Sequence, residues 1–419
     1  MAPEPSATGH APAWTARTVR SIAEIGKADW DACAFPDSIS QPVESSSQDA
    51  DSTSQEDRRN PFISYDFLAA LEASGCVGGR TGWTPCHIAL SDRSGALAAT
   101  VPCYLKSHSQ GEYVFDHGWA EAFARAGGEY YPKLQIATPF TPVTGRRLLI
   151  RSGVDGAAAS AALDAALRKL LDQAGASSIH ATFLTPVDAD ALVSRGWLLR
   201  HDRQFHWTND GYRSFDDFLA ALSSRKRKTI RRERSEALLP GVAVEWLTGP
   251  DIREAHWDAF FAFYMDTGSR KWGRPYLNRR FFSLIGESMT DRIALAIAYR
   301  DGKMIAGAIN FIGERTLYGR NWGAIEHHPF LHFEVCYYQA IDFAIARGLE
   351  RVEAGAQGEH KLARGYMPAT TRSAHFIAHP GLRRAVADYL DKERAHIAEV
   401  DRNLVEYGPF RKSSESGER

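Results

Sequence analysis

Cysteine is scarce and scattered: five residues, Cys33, Cys76, Cys86, Cys103 and Cys336, none of them spaced as C-x-x-C. An odd, dispersed set argues against a disulfide framework and against a zinc site, and it fits a reducing compartment. Net charge is also missing. At a formal value of −1, any grip on nucleic acid or an anionic membrane has to be local. No apolar run approaches the roughly 18 residues of a membrane span. The opening M-A-P-E-P-S-A-T-G-H lacks the basic start and apolar core of a secretory signal. A cytoplasmic location without a membrane span is the expectation these absences leave.

What is present is a chain of 419 residues, 44% hydrophobic and 11% aromatic. That is enough for a sizeable interior and too long for one ordinary core, which points to about two domains. From Asp37 to Asn60 the chain becomes Ser-, Gln- and Asp-rich. So little surface can be buried there that ordering entropy is not offset, and 37–59 is expected to be a disordered insertion. The end, 411–419, reads as a disordered tail.

The remainder reads as α/β, with mixed sheets and one layout used twice, in domains over 14–210 and 211–410. In the first, P-C-H-I-A-L-S-D and G-A-L-A-A-T-V-P-C-Y-L are neighbouring strands around a turn at Arg93–Gly95. An Ala/Leu-rich helix near Gly156–Ala174 precedes the strand S-I-H-A-T-F-L. In the second, R-I-A-L-A-I-A-Y-R turns at Asp301-Gly302, a hairpin signal, into K-M-I-A-G-A-I-N-F-I. The strand T-L-Y-G-R-N-W-G-A follows, then a helix from Leu331 to Arg347, with Phe333, Cys336, Tyr337, Ala340, Ile341 and Ala344 on one face. After it comes the strand R-V-E-A. From Leu382 to Tyr407 the apolar spacing marks a long amphipathic helix.

A strand–helix–strand crossover leaves its strands parallel, so their C-terminal ends open at one edge, where ligands sit in such sheets. One end carries Asn321, Trp322 and Gly323. The other carries E-A-G-A-Q-G-E-H-K-L-A-R-G-Y-M-P (353–368), with Gly355, Gln357 and Gly358. These six positions are the expected co-substrate cradle, and the free N–H groups at the start of the Leu331 helix favour an anion beside them. A plain connector needs turn formers, not an acid, an imidazole, two cations and a phenol in one loop.

Six runs carry a family resemblance: N-P-F-I-S-Y-D-F-L-A-A-L-E (60–72), Y-Y-P-K-L-Q (130–135), P-F-T-P-V-T-G-R-R-L-L (139–149), Q-F-H-W-T-N (204–209), R-K-R-K-T-I-R-R-E-R (225–234) and A-G-A-Q-G-E-H-K-L-A-R-G-Y-M-P (354–368). With them the chain resembles the FemAB-like family of predicted bacterial N-acyltransferases, of the GNAT superfamily. The resemblance implies two tandem GNAT-like domains and transfer of an acyl or aminoacyl group to a small-molecule or peptide amine. Where acetyl-CoA-binding GNAT members carry a Gly-rich pyrophosphate turn, this chain has H-H-P-F-L-H-F-E. Fem-type proteins take their acyl group from aminoacyl-tRNA. Two co-substrates therefore stand open, acyl-CoA and aminoacyl-tRNA, with no tightly bound cofactor.

Attack of an amine on an ester or thioester needs a base, oxyanion stabilisation and a protonated leaving group. In the loop, Glu359 or His360 is the candidate base, Lys361 or Arg364 the charge stabiliser and Tyr366 the proton donor. By resemblance, Tyr131, Lys133, Thr141 and Arg146 line an acceptor site. His327, His328 and His332 lack the H-E-x-x-H arrangement and are expected to line the cleft mouth, with no metal. The seven cations of Arg225–Arg234 are either a solvated helix face with carboxylate partners or a phosphate clamp. The rival to an acyltransferase is a non-catalytic recognition protein that binds a phosphorylated glycan precursor or RNA.

Overall fold

A computed structural model describes residues 14–36, 57–238, 241–271, 275–356 and 358–411. Residues 37–56 of the expected insertion (37–59), Gln357, and 412–419 of the expected tail (411–419) lie outside the described residues. The expected boundary of the insertion at 59 is corrected by Asp57, which is buried. Its carboxylate accepts from Glu314 N at 2.9 Å and from the Tyr318 hydroxyl at 3.2 Å. A buried carboxylate with two donors is an anchor for the chain that follows.

The strands are β1 (Thr15–Val19), β2 (Trp83–Pro85), β3 (His87–Ser91), β4 (Leu97–Val101), β5 (Cys103–Lys106), β6 (Lys133–Ile136), β7 (Leu149–Ile150), β8 (Ser178–Leu184), β9 (Leu198–Thr208), β10 (Val242–Thr248), β11 (Ile293–Arg300), β12 (Lys303–Ile312), β13 (Thr316–Ala324), β14 (Arg351–Glu353) and β15 (Met367–Ile377). Among the described residues they form two sheets. One has four strands in the order β1-β3-β4-β7, the other eleven in the order β10-β11-β12-β13-β14-β9-β15-β8-β6-β5-β2. The fold is mixed α/β, as expected. The run Gly95–Leu105, read as one strand, is two: Pro102 supplies no N–H to a ladder, and the chain passes there from the small sheet to the large one. At Asp301-Gly302 both residues have positive φ, 49° and 72°, as a tight hairpin turn requires.

The centre of the large sheet was not anticipated. β9, from the first half, lies between β14 and β15 of the second, and β15 pairs antiparallel with both β9 and β8. Each half thus ends in a strand that sits beside the other half's preceding strand. On the outer flanks the halves also match. β6 pairs parallel with β8, and β13 pairs parallel with β14.

The helix between β13 and β14 forms as Leu331–Phe333, a π turn over Glu334–Tyr338 and Gln339–Ala346. The π turn rotates the inward face, so that Val335 and Tyr338 are buried and Cys336 is only half-buried, where an unbroken helix would have buried Cys336. The long helix Pro380–Glu406 starts with Leu382 N donating to His379 Nδ1 at 3.2 Å. It lies along β9 and β15, buries Leu382, Val386 and Leu390, and is tied down by Arg200–Glu393 at 2.8 Å.

Candidate active site

β13 and β14 run parallel for three rungs, Thr316↔Arg351, Leu317↔Val352 and Tyr318↔Glu353, and then part. β13 continues to Ala324 against β12 alone, with a bulge opposite Ile309/Asn310 that leaves Arg320 without a partner in the register. β14 gives way to the loop that ends in the 3-10 turn Glu359–Arg364. The fork expected from the crossover is present, with the expected segments on its two arms.

Glu353 stands at the fork and is the residue the sequence reading passed over. It is buried, and its Oε2 finds no hydrogen-bond partner among the described residues. Burial pushes its carboxyl up to about 7, with nearby Asp57 acting in the same sense and Arg351 and Arg320 opposing. Its register partner on β9 is His206, whose Nδ1 lies 3.9 Å from Glu353 Oε1. Gln204 Nε2 donates to Pro142 O at 2.8 Å, which leaves Gln204 Oε1 to accept from His206 Nε2 at 3.1 Å. Burial lowers the His206 imidazole to about 3, so the ring is neutral and its Nδ1 lone pair faces the carboxyl. The only hint in the sequence was a charged residue closing the apolar strand R-V-E-A.

Lys361 turns back from the loop toward the start of the fork. It is buried, and its Nζ donates to Gly355 O at 2.8 Å. Burial lowers its ammonium to about 7, partly offset by Cys336, with Arg320 adding to the fall. Gly355 (φ 79°) and Gly358 (φ 120°) make the turn that returns Lys361 under its own loop. Arg320, from the bulge, donates to Phe140 O at 2.9 Å. The fork is therefore closed on one side by the P-F-T-P-V-T loop of the first half.

The other predicted loop residues divide. Glu359 and His360 are exposed, and His360 Nε2 lies 2.8 Å from the Tyr337 hydroxyl. Arg364 is buried, stacks 3.5 Å above the Phe333 ring and holds Glu233 with two bonds of 2.9 and 3.0 Å. Tyr366 is fully buried and donates to Tyr337 O at 3.2 Å; burial raises its phenol far above the ordinary value. A phenol so placed fixes the loop to the π turn and has no route to a leaving group.

Asn321, Trp322 and Gly323 lie on the far arm, paired to β12. The Trp322 ring meets His332 at 5.4 Å. Both line a cavity of about 360 Å³ with His327, His328, Phe330 and Phe333. His332 and Phe333 in turn pack against the His360 ring. Gly323 has a structural cause: a Cβ there would stand 2.1 Å from Phe263 O, so the helix Glu254–Lys271 crosses β13 at backbone contact. Gln357 lies outside the described residues.

The four first-half residues are not gathered into an acceptor pocket, because each is already engaged. Lys133 is buried between Glu112 at 3.0 Å and Asp116 at 2.5 Å. The Tyr131 hydroxyl meets Ser109 Oγ at 2.8 Å. Thr141 Oγ1 donates to Pro139 O at 3.0 Å, and Arg146 donates to Cys33 O and Ile150 O at 3.3 Å each. From that half, Phe140 and Pro142 reach the site through their carbonyls.

With this geometry in view, similarity to known proteins becomes informative. The FemAB-like profile, described as peptidoglycan biosynthesis/recognition, matches residues 21–412. The chain belongs to the FemAB-like family. Among solved structures this FemAB-like protein is similar to FemX, at 12% identity and a TM-score of 0.48, covering 77% of this chain and 94% of that one. It is also similar to a tandem GNAT protein from the clavulanic acid pathway, at 11%, 0.45, 88% and 99%. L-PGS from Bacillus licheniformis follows at 10%, 0.46, 77% and 96%. No curated protein matches it in sequence.

Proposed function

We propose that this FemAB-like protein is an N-acyltransferase that moves an acyl or aminoacyl group from an activated ester or thioester to an amine, with its reaction centre at the β13–β14 fork. The observation that carries this reading is the pair Glu353 and Lys361. Both are buried at one fork, and burial moves both from opposite sides to about 7. Groups tuned to the working pH suit proton transfer and charge stabilisation. Glu353 takes the proton from the attacking ammonium, and His206, held by Gln204, keeps the carboxyl in place. Lys361, in its charged form, stabilises the oxyanion that forms as the carbonyl is attacked. As that oxyanion collapses, the C–O or C–S bond to the donor breaks, the leaving oxygen or sulfur takes one of the two protons the ammonium gives up, and the other passes to water.

The family description directs the choice of acceptor to an amine on a peptidoglycan-precursor peptide. The donor is acyl-CoA or aminoacyl-tRNA, its acyl end entering from the cavity beside Trp322 and His332. Both donors are cytoplasmic, and no helix among the described residues is long and apolar enough to cross a membrane. Recognition without transfer would leave the unpartnered Glu353 oxygen with no task.

The test is transfer itself. Purified protein is supplied with each donor class and a panel of precursor peptides, and amide formation is followed by mass spectrometry. New amide that disappears in Glu353→Gln supports the reading. A protein that binds precursor peptide but forms no amide with either donor overturns it in favour of recognition.

A further inference from the structure

The cationic run Arg225–Arg234 divides in two. In its second part every arginine has a carboxylate: Arg231 meets Asp216 at 3.0 Å, Arg232 meets Glu236 at 3.5 Å, and Arg234 meets Glu334 at 3.0 Å and Asp342 at 2.7 Å. A solvated, ion-paired face accounts for these. In the first part, Arg225, Lys226, Arg227 and Lys228 pair with no carboxylate among the described residues. Four successive cations without counter-charges repel one another and persist at a cost unless an anion joins them.

The surroundings of this half supply a place for one. The helix Ser224–Ala237 has no acid in its first turn, and the side chain of its N-cap, Ser223, bonds to no helix N–H. Its first N–H groups therefore add to the positive field. Beside that turn lies a cavity of about 340 Å³, lined by Arg225, Lys226, Thr229 and Ile230 from the helix and by Ala363 and Arg364 from the reaction loop. Arg364 is 8% exposed, and its Nε–H meets no acceptor among the described residues. The one carboxylate at the wall, Glu233, is occupied. It accepts both bonds from Arg364 and the hydroxyl of Tyr338.

We infer that this cavity binds a phosphate ester carried by the acyl donor. The inference rests on the acyltransfer reading and extends it to a subsite. Guanidinium groups and helix N–H groups at one point suit phosphate oxygens. The volume suits one phosphate with its sugar, being at the small end of ligand pockets. Ala363 and Arg364 set the subsite against the loop that carries Lys361. Coenzyme A and the acceptor end of tRNA share this chemistry.

The test is equilibrium binding without turnover. Fluorescent tRNA and coenzyme A are titrated separately across a salt series, using the full chain, the Arg225→Glu/Lys226→Glu double variant and Lys303→Glu. Lys303 is an exposed cation on β12 and serves as the control. Expected is a loss of about tenfold or more for one probe in the double variant, with the salt slope reduced by about one to two. Lys303→Glu should bind like wild type. Loss confined to tRNA identifies a polynucleotide donor, and loss confined to coenzyme A a thioester donor; both support the subsite. A neutral Arg225→Gln/Lys226→Gln variant with unchanged thermal unfolding guards against misfolding. Failure of both probes to bind at low salt, or equal binding in wild type and double variant, overturns the inference. Wild-type amide formation alongside that result would sink the subsite and leave the transferase reading standing; normal probe binding with no amide formation would do the reverse.

Discussion

Tyr318 and Glu353 face each other across the last rung that β13 and β14 share. Beyond it the backbones separate, and the Glu353 carboxyl is left with one oxygen unpartnered in a buried setting. A carboxylate there has lost its water without gaining a full set of donors, which is the physical reason its proton is held to about 7.

As the base, Glu353 has to be ionised to accept a proton. Transfer therefore rises with pH through about 7. Glu353→Gln should abolish that limb and lower kcat about 10²–10⁴-fold, read from pH–rate profiles. A variant that keeps the same rise sinks the assignment. In stability the sign is fixed too. A carboxyl raised on folding contributes most below its unfolded value and loses that contribution as pH climbs through about 7, so Glu353→Gln should flatten the fall in urea stability between about pH 4.5 and 7.

For Lys361 the sign is opposite in rate. Its ammonium carries charge below about 7, so oxyanion stabilisation fades above that pH and the profile is a bell. Lys361→Arg keeps a charge that does not titrate, and should retain activity while the falling limb disappears. Lys361→Met should cost about 10²-fold or more in kcat below about pH 7 and progressively less above it. An unchanged falling limb in Lys361→Arg would show that another group titrates there.

Lys133 is expected to matter for folding and not for substrate. Lys133→Met leaves Asp116 buried without its lysine and Glu112 with only Lys106, at 3.8 Å, which should cost about 3–5 kcal/mol in denaturant unfolding. KM for the acceptor should move little while the protein stays folded. A large KM change at unchanged stability would return Lys133 to the substrate.

Gly323→Ala places a methyl against Phe263 O. Separation of β13 from its covering helix should lower stability by about 1–3 kcal/mol, visible as a lower melting temperature. Unchanged melting would mean that the crossing is looser than its geometry implies.

The fork was legible in the sequence because handedness and length limit what a strand–helix–strand unit can do, and the hairpin at Asp301-Gly302 fixed the strands before it. Glu353 was not legible. A glutamate closing an apolar strand looks the same whether it ends in water or in a pocket, and its neighbour His206, with the Gln204 that holds the ring, comes from the other half of the chain. The same limit explains Tyr131, Lys133, Thr141 and Arg146. Polar side chains near a stiff loop resemble a binding surface until their internal partners Ser109, Asp116, Pro139 and Cys33 are in place. The π turn was hidden because one extra residue rotates a helical face without changing its composition. Strand order was hidden because alternation marks a strand but not its neighbours.

Because β9 lies between β14 and β15, the ribosome delivers it long before either neighbour exists. The first half must wait with an open flank until β14 and β15 have emerged, a period in which its unpaired backbone is exposed to other chains. Neither half is then a separable unit: a cut after residue 210 would leave one fragment with a surplus strand and the other with a gap of the same width.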